Sequence, residues 1–182
     1  AGLRAALAGK PDGRLFCLLA AIGALALAAI GKGGSSAAAA ALLLEAGVPC
    51  EIHEDILYRQ WSKLMLNVGL NQVCAVYNVP YRGVQHPGTA RDTMLAAMRE
   101  AQALAAREGV TLTDADISAW MKMTDALNPD GMPSMRQDTL ARRPTEVELF
   151  AGAMRRLGEK HGVPTPVNDM LYRRIAELEA AY

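Results

Sequence analysis

The chain has 182 residues, with 19 basic and 19 acidic side chains and therefore a formal net charge of zero at pH 7. That length suits one domain, or one domain with part of another. The sequence has no basic block, and only 5% of its residues are aromatic. This composition argues against a nucleic-acid partner and favours a small ligand or another protein.

An apolar run covers residues 15–30 and follows two basic residues, Lys10 and Arg14. Two interpretations stay open: a secretory signal or membrane anchor, or one or two short buried strands broken at Gly23. The run is shorter than the roughly 18 residues that a spanning helix needs, and Pro11-Asp12-Gly13 before it is a turn signal. We therefore expect strands and no membrane span. No initiator methionine is present, so we expect the chain to begin inside a longer protein.

The three cysteines are Cys17, Cys50 and Cys74. Neither the cysteines nor the three histidines have the spacing of metal ligands, so we expect no metal site. An odd number of cysteines without a disulfide pattern fits the reducing cytoplasm best.

Residues 1–54 have the pattern of part of an α/β unit, and residues 55–182 have the pattern of a helical domain. The elements predicted in the first part are a strand at 24–30, a glycine turn at 31–34, an alanine-rich helix at 36–46 that ends at Gly47, and a strand at 48–53. The change in composition predicts a domain boundary after residue 54.

Hydrophobic periodicity and capping signals predict a series of helices in the second part. They cover 55–79, 89–108, 114–127, 135–142, 145–161 and 168 to about 178. The predicted helix-starting residues are Thr113 or Asp114, Ser134, Thr145 with Glu148 as a capping box, and Asn168. Gly109 and Gly162 are predicted to end helices.

Lys63, Asn67 and Asn71 are spaced four residues apart within the first of these helices. Each four-residue step advances about 40° beyond a full turn, so one amine and two carboxamides would form a polar stripe roughly 12 Å long. Leucines and valines between them predict a largely buried helix, in which an amine needs hydrogen-bonding partners. The spacing alone leaves two interpretations open: a functional site, or an exposed lysine with two asparagines that bridge neighbouring helices.

Four motifs follow one another along the chain. They are Trp61-x-Lys63-x-x-x-Asn67-x-x-x-Asn71, Ser134-Met-x-Gln-Asp138, Arg143-x-Thr145-Glu146 and Gly162-Val-Pro-Thr-Pro-Val-Asn168. In this order, residues 55–182 resemble the carboxy-terminal domain of ketopantoate reductase, also called 2-dehydropantoate 2-reductase. The resemblance implies an all-helical domain similar to that of 6-phosphogluconate dehydrogenase, preceded by a Rossmann domain. It also implies NADPH-dependent reduction of ketopantoate to pantoate in pantothenate biosynthesis.

By this resemblance, Lys63 is the general acid that protonates the ketone oxygen, and an ammonium near a developing alkoxide also stabilises it. Asn67 and Asn71 are implied to bind the hydroxyl and carboxylate end of the substrate. Ser134 is implied to bind the substrate as well. Glu146 is implied to contact the substrate or the cofactor ribose and to help position the lysine. Without the resemblance, Ser134 is an ordinary N-cap and Glu146 a carboxylate that stabilises a first helical turn.

The chain departs from the family at its beginning. The G-x-G-x-x-G turn that binds dinucleotide phosphates is absent, and the glycines at 31–34 have a different spacing. Residues 24–53 resemble the end of a Rossmann domain, so we expect a partial remnant of that domain and an isolated chain without activity.

Two alternative functions stay open. One is a related NADPH-dependent reductase of another small 2-oxo acid, because the lysine and asparagine stripe suits any such acid. The other is a catalytically silent helical module that self-associates through the apolar surface that a missing sheet would cover. The residues leave the oligomeric state open, and a homodimer is one of the states that fit them.

Overall fold

The computed structural model describes residues 44–48 and 55–182. In the short first segment, Leu44 and Glu45 are helical and Gly47 has a φ of +76°. The Gly47 N–H donates to the Leu44 carbonyl at 2.9 Å. A left-handed glycine at this point is consistent with the predicted helix end. Apart from Val48, which has no regular structure, the predicted strands at 24–30 and 48–53 and the turn at 31–34 lie outside the described residues.

The chain divides into two compact units, Ala1–Leu57 and Tyr58–Tyr182. Few residues of the first unit are described. The predicted boundary after residue 54, and the predicted α/β character of residues 1–54, therefore stay predictions.

The regular structure of residues 55–182 is entirely helical, which confirms the predicted fold class for this part of the chain. The helices are α1 (Ile56–Val76), α2 (Arg82–Gln85), α3 (Thr89–Arg107), α4 (Asp114–Asp125), α5 (Ser134–Leu140), α6 (Ala151–His161) and α7 (Pro166–Glu179). The short helix α2 lies between the predicted helices 55–79 and 89–108, where no helix is predicted. None of the described helices combines the length and the apolar character needed to cross a membrane.

Helix α1 approaches α3 closely at Gly69, and the lack of a side chain there makes this approach possible. A Cβ atom on Gly69 would lie 2.7 Å from the Cγ of Met98 and 3.1 Å from the carbonyl oxygen of Met94. Both methionines are fully buried. Because the contact includes backbone as well as a side chain, the absence of a side chain at Gly69 fixes how closely α1 packs into the core.

Helix α1 ends earlier than its predicted end at about Val79. Asn78 adopts the left-handed conformation with a φ of +51°, and Pro80 follows two residues later. The Val79 N–H donates instead to the Cys74 carbonyl at 3.1 Å, and the Asn78 N–H donates to the Ala75 carbonyl at 3.2 Å. This hydrogen-bond pattern closes the last turn of the helix and leads the chain away from its axis.

Three local end signals are confirmed. Gly109 follows α3 with a φ of +79°, and Gly162 ends α6 with a φ of +63°. Thr113 starts α4 through a capping box, in which Asp116 Oδ2 accepts bonds from the Thr113 N–H (2.6 Å) and hydroxyl (2.8 Å). These interactions involve residues within one helical turn, so local spacing is enough to predict them.

The predicted N-cap at Ser134 and the predicted capping box of Thr145 with Glu148 are both wrong. Ser134 is the first residue of α5, and Pro133 occupies the cap position. Helix α6 starts only at Ala151, because the Thr145 N–H and hydroxyl both donate to Glu179 on α7, at 2.7 and 2.6 Å. A distant carboxylate therefore takes the bonds that the local capping box would have used.

The predicted cap at Asn168 is also wrong. Thr165 occupies the cap position of α7, and Asn168 lies inside the helix and is fully buried. The first N–H groups of this helix have no partner within the helix, and the Glu100 carboxylate of α3 accepts hydrogen bonds from two of them, those of Val167 (2.8 Å) and Asn168 (2.9 Å). A negative group from another helix thus satisfies the amino end of α7.

Candidate active site

The three residues of the polar stripe all lie on α1, and they differ in exposure. Lys63 is exposed, Asn67 is half-buried and Asn71 is only 9% exposed. The stripe therefore runs from the surface of the domain into its interior. The sequence left open whether the lysine is buried or exposed, and the structure places the residue at the surface. Partial burial of its amine nevertheless lowers the pKa of Lys63 below the ordinary value of 10.5.

The polar groups of the three stripe side chains do not take part in the hydrogen bonds that hold the described helices together. Within the described part of the chain, the side chains of Lys63, Asn67 and Asn71 form no hydrogen bond and no ion pair. Buried carboxamides are usually hydrogen-bonded inside a protein. The stripe therefore has an ammonium and two carboxamides available for a small polar molecule.

Gln72, the next residue along α1, shows the opposite behaviour. Its Nε2 donates to the Val68 carbonyl (2.7 Å) and to Asn168 Oδ1 (3.2 Å), and its Oε1 accepts from the Ala151 N–H (2.9 Å). Gln72 is fully buried. It ties α1 to α6 and α7, so this amide has a structural role that its neighbour Asn71 does not share.

Trp120 of α4 lies beside the amine. The Nζ of Lys63 is 5.8 Å from the centre of the Trp120 ring, and the Trp120 Nε1–H donates to Ser62 Oγ at 2.8 Å. Sequence reasoning missed both Trp120 and Ser62. Their bond joins residues 58 positions apart, and no short-range pattern reports such a pair.

Ser134 and Glu146 lie on other segments, and both are exposed. Ser134 begins α5, and Glu146 lies in the turn before α6, where its carbonyl accepts from the Leu149 N–H at 2.9 Å. No hydrogen bond or ion pair among residues 55–182 joins either side chain to the stripe. The structure therefore brings together Lys63, Asn67 and Asn71 on one helix. Among residues 55–182, neither Ser134 nor Glu146 is hydrogen-bonded or ion-paired to them.

The chemistry of the stripe is that of hydrogen bonding and proton donation. Within residues 44–48 and 55–182, no group of histidine, cysteine, aspartate and glutamate side chains could hold a metal ion. An ammonium can donate a proton to a carbonyl oxygen and stabilise negative charge on it. Neutral amides can bind a hydroxyl or a carboxylate without adding a charge.

Comparison with known proteins gives a consistent result. Residues 55–179 match the family model described as "Ketopantoate reductase PanE/ApbA C terminal". A 2-dehydropantoate 2-reductase of Vibrio cholerae is 31% identical over 139 residues, which cover 74% of this chain and 45% of that protein. One from Caulobacter vibrioides is 32% identical over 154 residues, covering 84% and 50%. The chain spans about half the length of these relatives.

Solved structures with the same fold include two at 28% sequence identity. One is D-mandelate dehydrogenase with NADH and anilino(oxo)acetate, which has a TM-score of 0.73 over 82% of this chain and 50% of that one. Another is a PanE/ApbA family ketopantoate reductase from Ralstonia eutropha, with a TM-score of 0.72 over 81% and 49%.

Proposed function

This chain belongs to the ketopantoate reductase PanE/ApbA C-terminal family, and we propose that it is the helical substrate-binding part of an oxidoreductase that reduces 2-dehydropantoate to pantoate with NADPH. The proposal covers the activity, the substrate and the cofactor, because the chain matches only about half of each relative. The reaction would supply pantoate for pantothenate biosynthesis.

One observation carries the proposal: the stripe on α1 presents an amine and two amides that the fold does not use. Gln72 on the same helix makes three hydrogen bonds, whereas Lys63, Asn67 and Asn71 make none to the described residues. A small acid that carries a ketone, a hydroxyl and a carboxylate offers matching acceptors and donors for these three groups.

We assign to Lys63 the role of general acid. Reduction of the ketone places negative charge on its oxygen, and a nearby ammonium stabilises that charge before donating its proton. Partial burial lowers the pKa of Lys63, which makes the ammonium a stronger acid than a fully solvated lysine. The lowered pKa and the exposure of the residue as a whole both suit a proton donor that meets a substrate at the domain surface.

Asn67 and Asn71 would hold the hydroxyl and carboxylate end of the substrate. Their increasing burial along α1 means that a molecule bound to Asn71 is more shielded from water than one bound at Lys63. Hydrogen bonds to a buried partner discriminate strongly against ligands that lack the matching group, because the protein group is then left unpaired.

The proposed roles of Ser134 and Glu146 rest on the family motif. Ser134 would bind the substrate, and Glu146 would contact the substrate or the cofactor ribose and help to orient Lys63. Both side chains are exposed, so they are accessible to a ligand that approaches α5 and the turn before α6.

The described residues fit the substrate better than the cofactor. A nicotinamide dinucleotide, when bound, supplies the hydride that reaches the carbonyl carbon. Its phosphates need a glycine-rich turn at a helix start, and the chain contains no G-x-G-x-x-G sequence. We therefore propose that the chain's own contribution is to bind and orient the acid and to donate the proton, and that the dinucleotide depends on residues that this sequence does not contain.

A related activity is the second candidate, and a specific likeness favours it. The D-mandelate dehydrogenase structure described above contains NADH and an aromatic oxoacetate. A reductase of another 2-oxo acid, with NADH in place of NADPH, would use the same three stripe groups. A third candidate, a silent helical module that forms homodimers, would use none of them.

The deciding experiment is a turnover assay with a form of the protein that includes a complete dinucleotide-binding domain. The loss of NADPH or NADH absorbance should be followed with 2-dehydropantoate and with a 2-oxo acid that bears an aromatic group. Faster turnover of 2-dehydropantoate with NADPH supports the main proposal, and faster turnover of the aromatic acid supports the second. No turnover of either acid, together with a dimer in sedimentation analysis, would support the silent module.

A further inference from the structure

Helices α1 and α4 are joined by two hydrogen bonds with equal spacing. The Tyr58 hydroxyl donates to Asp116, and the Trp120 Nε1–H donates to Ser62 Oγ at 2.8 Å. Both bonds connect residues 58 positions apart. From the first bond to the second, each helix advances by four residues, or about one turn, so the two helices run in the same direction where these bonds join them. The indole of Trp120 is thereby held in register with the start of the polar stripe.

The first of these two bonds, from Tyr58 to Asp116, is supported by further hydrogen bonds. Asp116 also accepts two bonds from Thr113 in the capping box that starts α4. One carboxylate thus holds both the first turn of α4 and the Tyr58 hydroxyl of α1. Burial acts to raise the pKa of Asp116, but hydrogen bonds from Tyr58 and Thr113 outweigh it and lower the pKa. The carboxylate is therefore kept ionised. Trp120 lies one helical turn after Asp116, which these hydrogen bonds hold in place.

The second bond, from Trp120 to Ser62, lies beside Lys63, the proposed proton donor. Ser62, which is only 9% exposed, precedes Lys63 in the helix. The bond from the indole edge to Ser62 leaves the ring with Lys63 Nζ at 5.8 Å from its centre. This distance is within the roughly 6 Å over which a tryptophan ring attracts a cation, and tryptophan is the best of the aromatic residues for this purpose.

We propose that Trp120 is a positioning residue for Lys63: its indole, held by the Ser62 hydroxyl, confines the ammonium to one place beside the substrate position. The proposal rests on the role of Lys63 as general acid. A lysine side chain has a flexible four-carbon stem, and Lys63 has no ion pair among the described residues to restrain it. The ring restrains the amine without neutralising it, and it removes water from one side of the amine.

The alternative is that Trp120 only fills space against the core, where it is partly buried. In that case its ring would affect stability but would have no specific effect on Lys63. The two cases differ in what happens when the hydrogen bond to Ser62 is removed while the ring remains.

The first test uses the 182-residue chain itself and does not depend on activity. The chain is labelled with ¹³C-lysine, and the ε-methylene signal of Lys63 is identified by its loss in Lys63→Arg. A ring beside the side chain displaces this signal upfield. We expect Trp120→Leu to abolish the displacement, and Ser62→Ala and Trp120→Phe to reduce it because both free the ring from its hydrogen bond.

A matched control is Ser118→Ala on α4. The Ser118 hydroxyl is exposed and donates only to the Asp114 carbonyl of its own helix, at 2.8 Å. This variant should leave the Lys63 signal where it is. If Trp120→Leu fails to fold by circular dichroism, Ser62→Ala and Trp120→Phe still decide the question. An unchanged Lys63 signal in these two variants would overturn the proposal.

The second test measures kinetics in a form of the protein with a complete dinucleotide-binding domain. Misplacing a reacting group by about 1 Å can lower turnover on the order of 100-fold. We expect Trp120→Leu to lower kcat by about 10- to 100-fold with little change in the KM for the cofactor. Ser62→Ala and Trp120→Phe should each have a smaller effect. Their combination should lower kcat by less than the product of the two effects, because both remove the same hydrogen bond.

The outcomes separate this proposal from the proposed function. If the form with a complete dinucleotide-binding domain reduces no 2-oxo acid but the Lys63 signal responds as expected, the proposed function fails while the contact between Trp120 and Lys63 stands. If that form is active but kcat is unchanged in Trp120→Leu, the proposed function stands and the positioning role of Trp120 is wrong.

Discussion

Replacing Gln72 by leucine tests how the helix that carries the stripe is held in the domain. Leucine has nearly the same size as glutamine, but it cannot form the bond to the Val68 carbonyl within α1 or the two bonds that join α1 to α6 and α7. The substitution leaves the Ala151 N–H and Asn168 Oδ1 without their Gln72 partner, and both residues are fully buried. The change therefore removes bonds without opening a large cavity.

The size of the effect follows from these two groups. A buried polar group left without its partner costs about 1–3 kcal/mol, so two groups predict a loss of roughly 2–6 kcal/mol in the free energy of unfolding. Relaxation of the helix end at Ala151 reduces the upper figure, and we expect about 3 kcal/mol. For a domain of ordinary stability, about 5–15 kcal/mol, this loss is large.

The assay is urea unfolding of the 182-residue chain, followed by circular dichroism of its helices. Gln137→Leu is the matched control, because Gln137 is exposed and makes a single long bond of 3.3 Å to the Met132 carbonyl. The control should change the free energy of unfolding by less than about 0.5 kcal/mol. A Gln72→Leu variant that is as stable as the control would refute the view that this amide holds α1 in place.

The remaining predictions concern the reaction, and the first three need a form of the protein with a complete dinucleotide-binding domain. Lys63→Ala should lower kcat by about 10²–10⁴-fold, the range of general acid catalysis, while Lys122→Ala, at an exposed position of α4, should leave it unchanged; normal turnover in Lys63→Ala would remove this amine from the mechanism. Because a general acid acts only while protonated, kcat/KM should fall as the pH rises through the pKa of Lys63, and partial burial of the amine places that fall below pH 10.5; a profile flat up to that pH would contradict the assignment. Alanine at Asn67, Asn71 or Ser134 should mainly raise KM or lower kcat/KM, by about 1–3 kcal/mol for each hydrogen bond lost, and unchanged kinetics in all three would mean that they do not bind the substrate. The isolated 182-residue chain should bind NADPH very weakly in isothermal titration and show no ketopantoate-dependent loss of NADPH absorbance, and tight binding would mean that its first fifty residues hold a nucleotide site.

Local sequence signals predicted those helix ends whose partners lie close in the chain. Gly109 and Gly162 adopt the left-handed conformation that stops a helix, and glycine does so without steric cost. Thr113 and Asp116 are separated by less than one turn, so the geometry of a helix start already places them together.

The starts of later helices were decided by carboxylates from other parts of the fold. Glu179, 34 positions from Thr145, takes the bonds expected of a local capping box. Glu100, 68 positions from Asn168, occupies the end of α7 in place of a local cap. At both predicted helix starts the acceptor is a carboxylate brought in by packing, and hydrogen bonds to an ionised acceptor are stronger than those to a neutral one.

Lys63, Asn67 and Asn71 could be assigned to one stripe of α1 from the amino-acid sequence, because a four-residue spacing on a helix allows no other result. The packing of the helices sets three other features: the stripe runs from an exposed lysine to a buried asparagine, the Gln72 side chain is hydrogen-bonded to α6 and α7, and Trp120 lies beside the amine. The bonds of Gln72 and Trp120 to other helices span 58 to 96 positions. Contacts within one helical turn follow from backbone geometry, whereas contacts over such separations exist only after the helices have packed against one another.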